Sequence, residues 1–342
     1  MVNYMKYRYF GQTGLKISEI SLGTQTFGWN TKQDEAFRML DYYFEMGGSY
    51  LDTADSYNNG ESERILGAWL KERGNHDDLI ISTKVFFDQN SASKDSNRIG
   101  HSKKHIINSL EKSLSRLGLE AIDLYQLHCF DKGTDLEEVI DTMEDLIRSG
   151  KILYYGVSNF APSSIAKIAT ISRFKQYHHL SSLQLEYSLL VRSPEWELLP
   201  LCYEENIGTL AWSPLAGGWL TGKYKRDEPP PENSRAGRKD RWYDQPEQRG
   251  GPRTWAILDV LGEISTKRKV PVSQAALNWV RKKKTISSVL IGARNMDQLK
   301  ENLASLAWDM SEEEEIMLND VSNIQEPYPY SFISMYSRES FK

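Results

Sequence analysis

The chain has too little cysteine to be a disulfide scaffold. Cys129 and Cys202 are the only two in 342 residues. They lie far apart, and a chain this long can bury enough core to do without a staple. A reducing compartment is the simpler expectation, and a cytoplasmic location goes with it. Long apolar runs are missing too: none reaches the roughly 18 residues of a membrane span. The opening MVNYMKYRYFGQTG has neither a signal-type apolar stretch nor an Arg-rich amphipathic one. No membrane partner is expected. Excess positive charge is absent as well, with 42 Lys and Arg against 47 Asp and Glu and a net charge of -5. That balance cannot neutralise a phosphate backbone, so no nucleic-acid partner is expected. The one dense basic run, Arg281 to Lys284, reads as the solvated end of a helix. No metal site is expected.

What is present is ordinary globular material, 39% hydrophobic and 26% charged. Tyr7 to Phe10, a Gly11-Gln12-Thr13-Gly14 turn and Leu15 to Ser18 predict a small hairpin. From Ile20 onward the period changes, and short apolar runs alternate with amphipathic stretches. The strands are expected at Ile20 to Leu22, Ser49 to Leu51, Leu79 to Thr83, Ile122 to Leu127, Ile152 to Val157, Leu183 to Leu185, Gly208 to Trp212 and Ser288 to Ile291. Helical patterns between them include Glu35 to Glu45, Glu63 to Lys71, Lys104 to Leu117, Leu136 to Arg148 and Gln274 to Arg281.

Eight such units predict an α/β chain, a (β/α)₈ TIM barrel with an N-terminal β-hairpin and long βα loops. The reading makes residues 1–342 one barrel domain, with the hairpin at 7–18, long loops at 86–102 and 225–252, and an aromatic, irregular tail at 324–342. A doubly wound dinucleotide-binding sheet would need G-x-G-x-x-G after its first strand, where this chain has Gly23-Thr24-Gln25-Thr26-Phe27-Gly28. Gly217 to Tyr224 nearly fits a P-loop, but Tyr224 stands where Ser or Thr is required.

Barrel chemistry sits where strands end and βα loops begin. Asp52 follows the second strand, Tyr57 lies on the loop beyond it, Lys84 ends the third strand and His128 the fourth. Each has a bland explanation alone: a turn cap, a packing ring, a surface charge, a satisfied histidine. Together, at equivalent strand ends, they describe a site that protonates an oxygen. A phenol of pKa about 10 needs its conjugate base stabilised, and an ammonium at Lys84 would do so. Asp52 would hold Lys84, and His128 would hydrogen-bond a carbonyl oxygen. A barrel lysine could instead form a Schiff base with a carbonyl compound, as in a lyase or aldolase.

Leu51-Asp52-Thr53-Ala54-Asp55-Ser56-Tyr57, followed by Asn59-Gly60-Glu61-Ser62-Glu63, resembles the aldo-keto reductase signature. Gly156 to Phe160, Gln184 with Tyr187 to Leu190, Trp212 to Ala216 and Ile291 to Asn302 are similar to further motifs of that superfamily. The branch it most resembles includes potassium-channel beta subunits and related bacterial and plant reductases. The resemblance implies NADPH-dependent, reversible reduction of an aldehyde or ketone, hydride passing from the nicotinamide C4 while Tyr57 protonates the oxygen. It implies that Gly23, Thr24, Gln25 and Asp52 border the cofactor, that Ser158, Asn159 and Gln184 hold the carboxamide, and that Tyr187 stacks on the nicotinamide. Trp212, Ser213, Pro214, Leu215, Ala216, Gly217 and Lys223 would line the pyrophosphate, with Arg235 closing over it. Gly292, Arg294, Gln298, Glu301 and Asn302 would take the adenosine end, a guanidinium suiting the 2′-phosphate of NADP.

Trp29, Phe86 and Phe87, with Tyr57, suggest an apolar substrate wall, and aromatics around Tyr328 and Tyr330 suggest that the tail adds to it. The channel subunits, cofactor-sensing accessory proteins, carry Asn where this chain has His128, which favours turnover here. Monomers and larger rings both occur in the superfamily, so an oligomer is compatible with the sequence.

Overall fold

The computed structural model describes residues 5–88, 94–232, 234–237 and 249–337. Parts of the expected long loops and the last five residues of the tail lie outside these. The hairpin forms where the sequence places it, β1 (Tyr7–Tyr9) pairing antiparallel with β2 (Lys16–Ser18). The alternation that follows gives β3 (Ile20–Gly23), β4 (Tyr50–Asp52), β5 (Ile80–Val85), β6 (Ile122–Leu127), β7 (Ile152–Ser158), β8 (Ser182–Glu186), β9 (Gly208–Trp212) and β10 (Ser288–Gly292). These strands are parallel, each beside its neighbours in sequence, and β10 closes back on β3. The fold is a (β/α)₈ barrel.

Strand alternation sorts the residues into an interior and an outer face. The hairpin plugs the N-terminal end: Phe10 and Ile17 pack with Tyr50, Leu124 and Leu210 in an apolar cluster of their own. Above it the interior turns polar, with Ser82, Gln126, Asp52, Lys84 and Gln184 all buried. Gly156 makes room there, since a Cβ would lie 2.1 Å from Ser182 Oγ. Outward residues meet the helices. Helix Leu136–Arg148 is typical: Asp135 caps its first turn through the amide of Glu137, and Val139, Ile140, Met143 and Leu146 form its buried stripe. Among the described residues, no helix is long and apolar enough to cross a membrane.

The basic run at the end of helix Val272–Lys282 is not the solvated feature its composition suggests. Arg281 is 5% exposed and faces Glu19, 1% exposed, at 3.3 Å, with further bonds to Asn278, the Trp308 carbonyl and Asp309. Lys282 and Lys283 both pair with Glu315, and Lys284 alone of the run is exposed. Glu19 leads directly into β3, so the network ties the first barrel strand to the outer helices at the plugged end. The tail is a second correction. It contains a helix, Tyr330–Tyr336, docked where Tyr330 stacks on Trp196 at 6.2 Å and hydrogen-bonds Glu197.

Candidate active site

Asp52, Lys84 and His128 come from adjacent strands, and closure of the barrel brings them to its C-terminal end together. Asp52 is the last residue of β4, Lys84 the penultimate residue of β5, and His128 the first beyond β6. Tyr57 lies on the turn after β4, whose Asn58 and Asn59 take left-handed φ of 51° and 54°. Asparagine tolerates that region better than most residues. The sharp reversal returns Tyr57 over the strand ends.

Lys84 is wholly buried and its ammonium uses its donors fully: 2.5 Å to Asp52 Oδ2, 2.7 Å to the Thr53 carbonyl and 3.3 Å to the Tyr57 oxygen. Asp52 Oδ1 accepts from Gln184 at 2.9 Å and from Gln126 at 3.3 Å, and the Gln126 amide also reaches Ser82. The lysine is thus held from both sides. Burial would lower its pKa, but Asp52 and then Tyr57 overcome that and leave it raised. Because Lys84 donates to the phenol oxygen, the Tyr57 proton points elsewhere.

The expectation that Lys84 acidifies Tyr57 meets a larger opposing effect. Burial raises the phenol pKa, Lys84 pulls it back, Asp52 pushes it up, and the balance stays above the ordinary value. Tyr57 is therefore protonated at neutral pH, as a proton donor must be.

His128 lies edge-on to Tyr57, ring centroids 5.9 Å apart. Burial first, then Lys84 and His101, drive its pKa well below the usual range, so the ring is neutral. Its Nδ1 is buried without a partner among the described residues. A lone pair is cheaper to strand there than an N–H, which favours the tautomer with the proton on Nε2. A neutral donor then adjoins a neutral phenol. Phe87 also packs against His128, ring centroids 5.0 Å apart, and Phe86 against Phe87 at 5.0 Å, while Trp29 lies exposed on the loop after β3.

A second group of residues gathers at the same end. Lys223 follows β9, Arg235 lies on the long loop, and Arg294 follows β10. Burial, then Arg294, then Arg235 lower the Lys223 pKa to about 8. Three cationic side chains thus converge at one end of the barrel. Ser213 and Ala216 take left-handed φ of 53° and 48°, and Gly217 and Gly218 continue the reversal. At Gly218 a Cβ would lie 2.4 Å from Lys223 Nζ, so glycine lets the ammonium rest on this loop. Pro214 is buried in that turn, and Leu215 accepts from the Gly218 amide at 2.9 Å.

The other expected positions divide between lining and support. Gly23 pairs with Asp52 in register, and Gln25 accepts from Arg235 at 3.3 Å. Thr24 is buried, its hydroxyl spent on the Asp52 carbonyl and Ser62, which makes it a strut. Asn159, at φ 58°, donates to the His128 carbonyl and to Ser158 Oγ, both at 2.9 Å. Gln298 accepts from the Arg294 amide at 3.0 Å, Asn302 donates to the Gly292 carbonyl at 3.4 Å, and Glu301 accepts from Ser273 at 2.5 Å.

Tyr187 lies elsewhere than expected. It is 1% exposed, stacks on Trp279 of an outer helix at 5.4 Å and donates to Glu195. Gln184 faces the interior, so three residues on the chain faces out. Trp212 instead shares the inward face with Leu210 and pairs in register with Glu186, which is bound to Arg249 at 2.6 Å. Sequence reasoning missed Gln126 and Glu186, although each stands two residues from a chosen one on the same strand face.

A family model described as "Aldo/keto reductase family" matches residues 19–322. The chain belongs to that family. It is 33% identical over 325 residues to the uncharacterized oxidoreductase YrpG of Bacillus subtilis (strain 168), covering 93% of this chain and 96% of the relative. It is 30% identical over 339 residues to norsolorinic acid reductase of Aspergillus flavus, covering 96% of this chain and 84% of the relative. This aldo/keto reductase is accordingly an oxidoreductase acting on small molecules, in a family whose general reaction is carbonyl reduction.

Proposed function

We propose that the protein reduces an aldehyde or ketone to the alcohol with NADPH, with Tyr57 as the proton donor. The observation that carries this reading is the Asp52–Lys84–Tyr57 chain, a buried ammonium held 3.3 Å from a phenol oxygen. As negative charge develops on the carbonyl oxygen, Tyr57 gives up its proton and Lys84 stabilises the phenolate left behind. His128, as an Nε2–H donor, orients that oxygen. The bound nicotinamide supplies the hydride.

The cofactor fits the residues present. The self-repelling Lys223, Arg235 and Arg294 suit its phosphates. Ser158, Asn159 and the remaining carbonyl of Gln184 suit its carboxamide, and Trp212, at the end of β9, suits the stacking role on the nicotinamide. A Schiff base on Lys84 would need a neutral amine, and the contacts with Asp52 and Tyr57 keep it charged. Incubation with NADPH and a small aldehyde should yield the corresponding alcohol with an equal amount of NADP. Aldehyde left unchanged while NADPH binds would overturn the reading.

Preference for NADPH over NADH is assigned to Arg294. A charge-assisted bond to a 2′-phosphate is worth enough that Arg294→Ala should weaken NADPH binding about tenfold or more and change NADH little. Calorimetric titration of both cofactors checks this. Equal losses would move the 2′-phosphate contact to another residue.

A further inference from the structure

Phe86 and Phe87 continue the mouth beyond His128, and the next ring along that wall is an imidazole. His101 meets Phe86 edge-on at 5.2 Å and lies nearly parallel to Phe160 at 6.3 Å. It is 1% exposed. Its backbone is fixed by a 2.8 Å bond to Asp131 Oδ2, and Gly100 is tied to the Phe86 carbonyl at 2.9 Å.

Nε2 of the ring is buried without a partner among the described residues. A lone pair is cheaper to strand there than an N–H, so the proton belongs on Nδ1 and Nε2 keeps its lone pair. Burial holds the His101 pKa down at about 4, so the ring stays neutral at neutral pH. The structure thus presents a fixed, buried acceptor with no donor, joined to His128 through the rings of Phe86 and Phe87. Buried polar atoms are rarely left so.

We propose that His101 Nε2 accepts a hydrogen bond from a hydroxyl on the carbonyl substrate, and that the preferred substrates are hydroxylated aromatic aldehydes or ketones. This rests on the carbonyl-reductase reading and adds the substrate class. The carbonyl sits at Tyr57 and His128, the flat apolar part lies against Phe86 and Phe87, and the hydroxyl reaches His101 as those two rings shift. Phe87 is 40% exposed at the rim, so that shift displaces a side chain and leaves the barrel intact.

The test compares kcat/KM for the hydroxybenzaldehyde isomers with benzaldehyde, in wild type, His101→Leu and His101→Gln. For the best isomer, His101→Leu should lose roughly tenfold to a hundredfold, while benzaldehyde changes less than about twofold. His101→Gln, whose amide oxygen still accepts, should recover most of the loss. Calorimetric binding of the matching benzyl alcohols should show the same selective loss without turnover. Equal losses with both aldehydes would reduce His101 to a packing residue, and an unchanged ratio would show that no hydroxyl reaches it. Either overturns the proposal. Turnover of benzaldehyde by wild type reports on the carbonyl-reductase reading separately.

Discussion

Tyr57→Phe should lower kcat for carbonyl reduction by about 10²–10⁴-fold, the usual contribution of a positioned proton donor. NADPH binding should stay within roughly twofold of wild type, since the phenol acts in the proton-transfer step. The substitution removes one oxygen and keeps the ring that faces His128 and lies 4.9 Å from the Lys84 ammonium. Steady-state kinetics with a fluorescence titration of NADPH separates the two effects. The pH profile carries the same information. With the folded-state pKa of Tyr57 raised, wild-type reduction should hold level through neutral pH and fall only in alkali, as the phenol ionises. A variant that still turns over normally would place the proton donor elsewhere.

Lys84→Met has a second consequence beside the loss of activity. It leaves Asp52, 1% exposed, buried with Gln184 and Gln126 but without its cation. Stranding a buried charge costs about 3–5 kcal/mol, which lowers Tm by several degrees in a chain of this size. Asp52→Asn combined with Lys84→Met should restore most of that stability, since it removes the stranded charge, and should restore none of the turnover. The sign with pH follows from the raised Lys84 pKa. The stabilisation is fully present below the unfolded-state lysine pKa and is lost as pH rises through the higher folded-state value, so at neutral pH the whole effect is visible. A Lys84→Met protein as stable as wild type would mean that the buried pair contributes nothing.

Much of the fold was legible because strand and helix periods differ, and because apolar runs of strand length were bounded by amphipathic stretches. The tail helix was not legible, since YSFISMY is only seven residues long and buries no residue, so it shows no amphipathic period. Arg281 was misread for another reason. Its partner Glu19 is 262 residues away, and local charge spacing carries no trace of such a pairing.

The catalytic strand ends could be found because each polar residue broke an apolar run at an equivalent position. Tyr187 could have been excluded by the two-residue alternation that sets Gln184 inward, and Gln126 could have been added by the same rule from His128. The convergence of Lys223 with Arg294 could not be read that way, since it depends on β9 and β10 lying side by side in the closed barrel.

The most direct measurement is continuous NADPH oxidation by the wild-type enzyme across a panel of aldehydes and ketones, followed well past one equivalent of enzyme. Carbonyl reduction through Tyr57 predicts linear, carbonyl-dependent consumption over many turnovers. A burst of one equivalent followed by arrest would contradict it, and would make the protein a cofactor-holding subunit in place of a reductase.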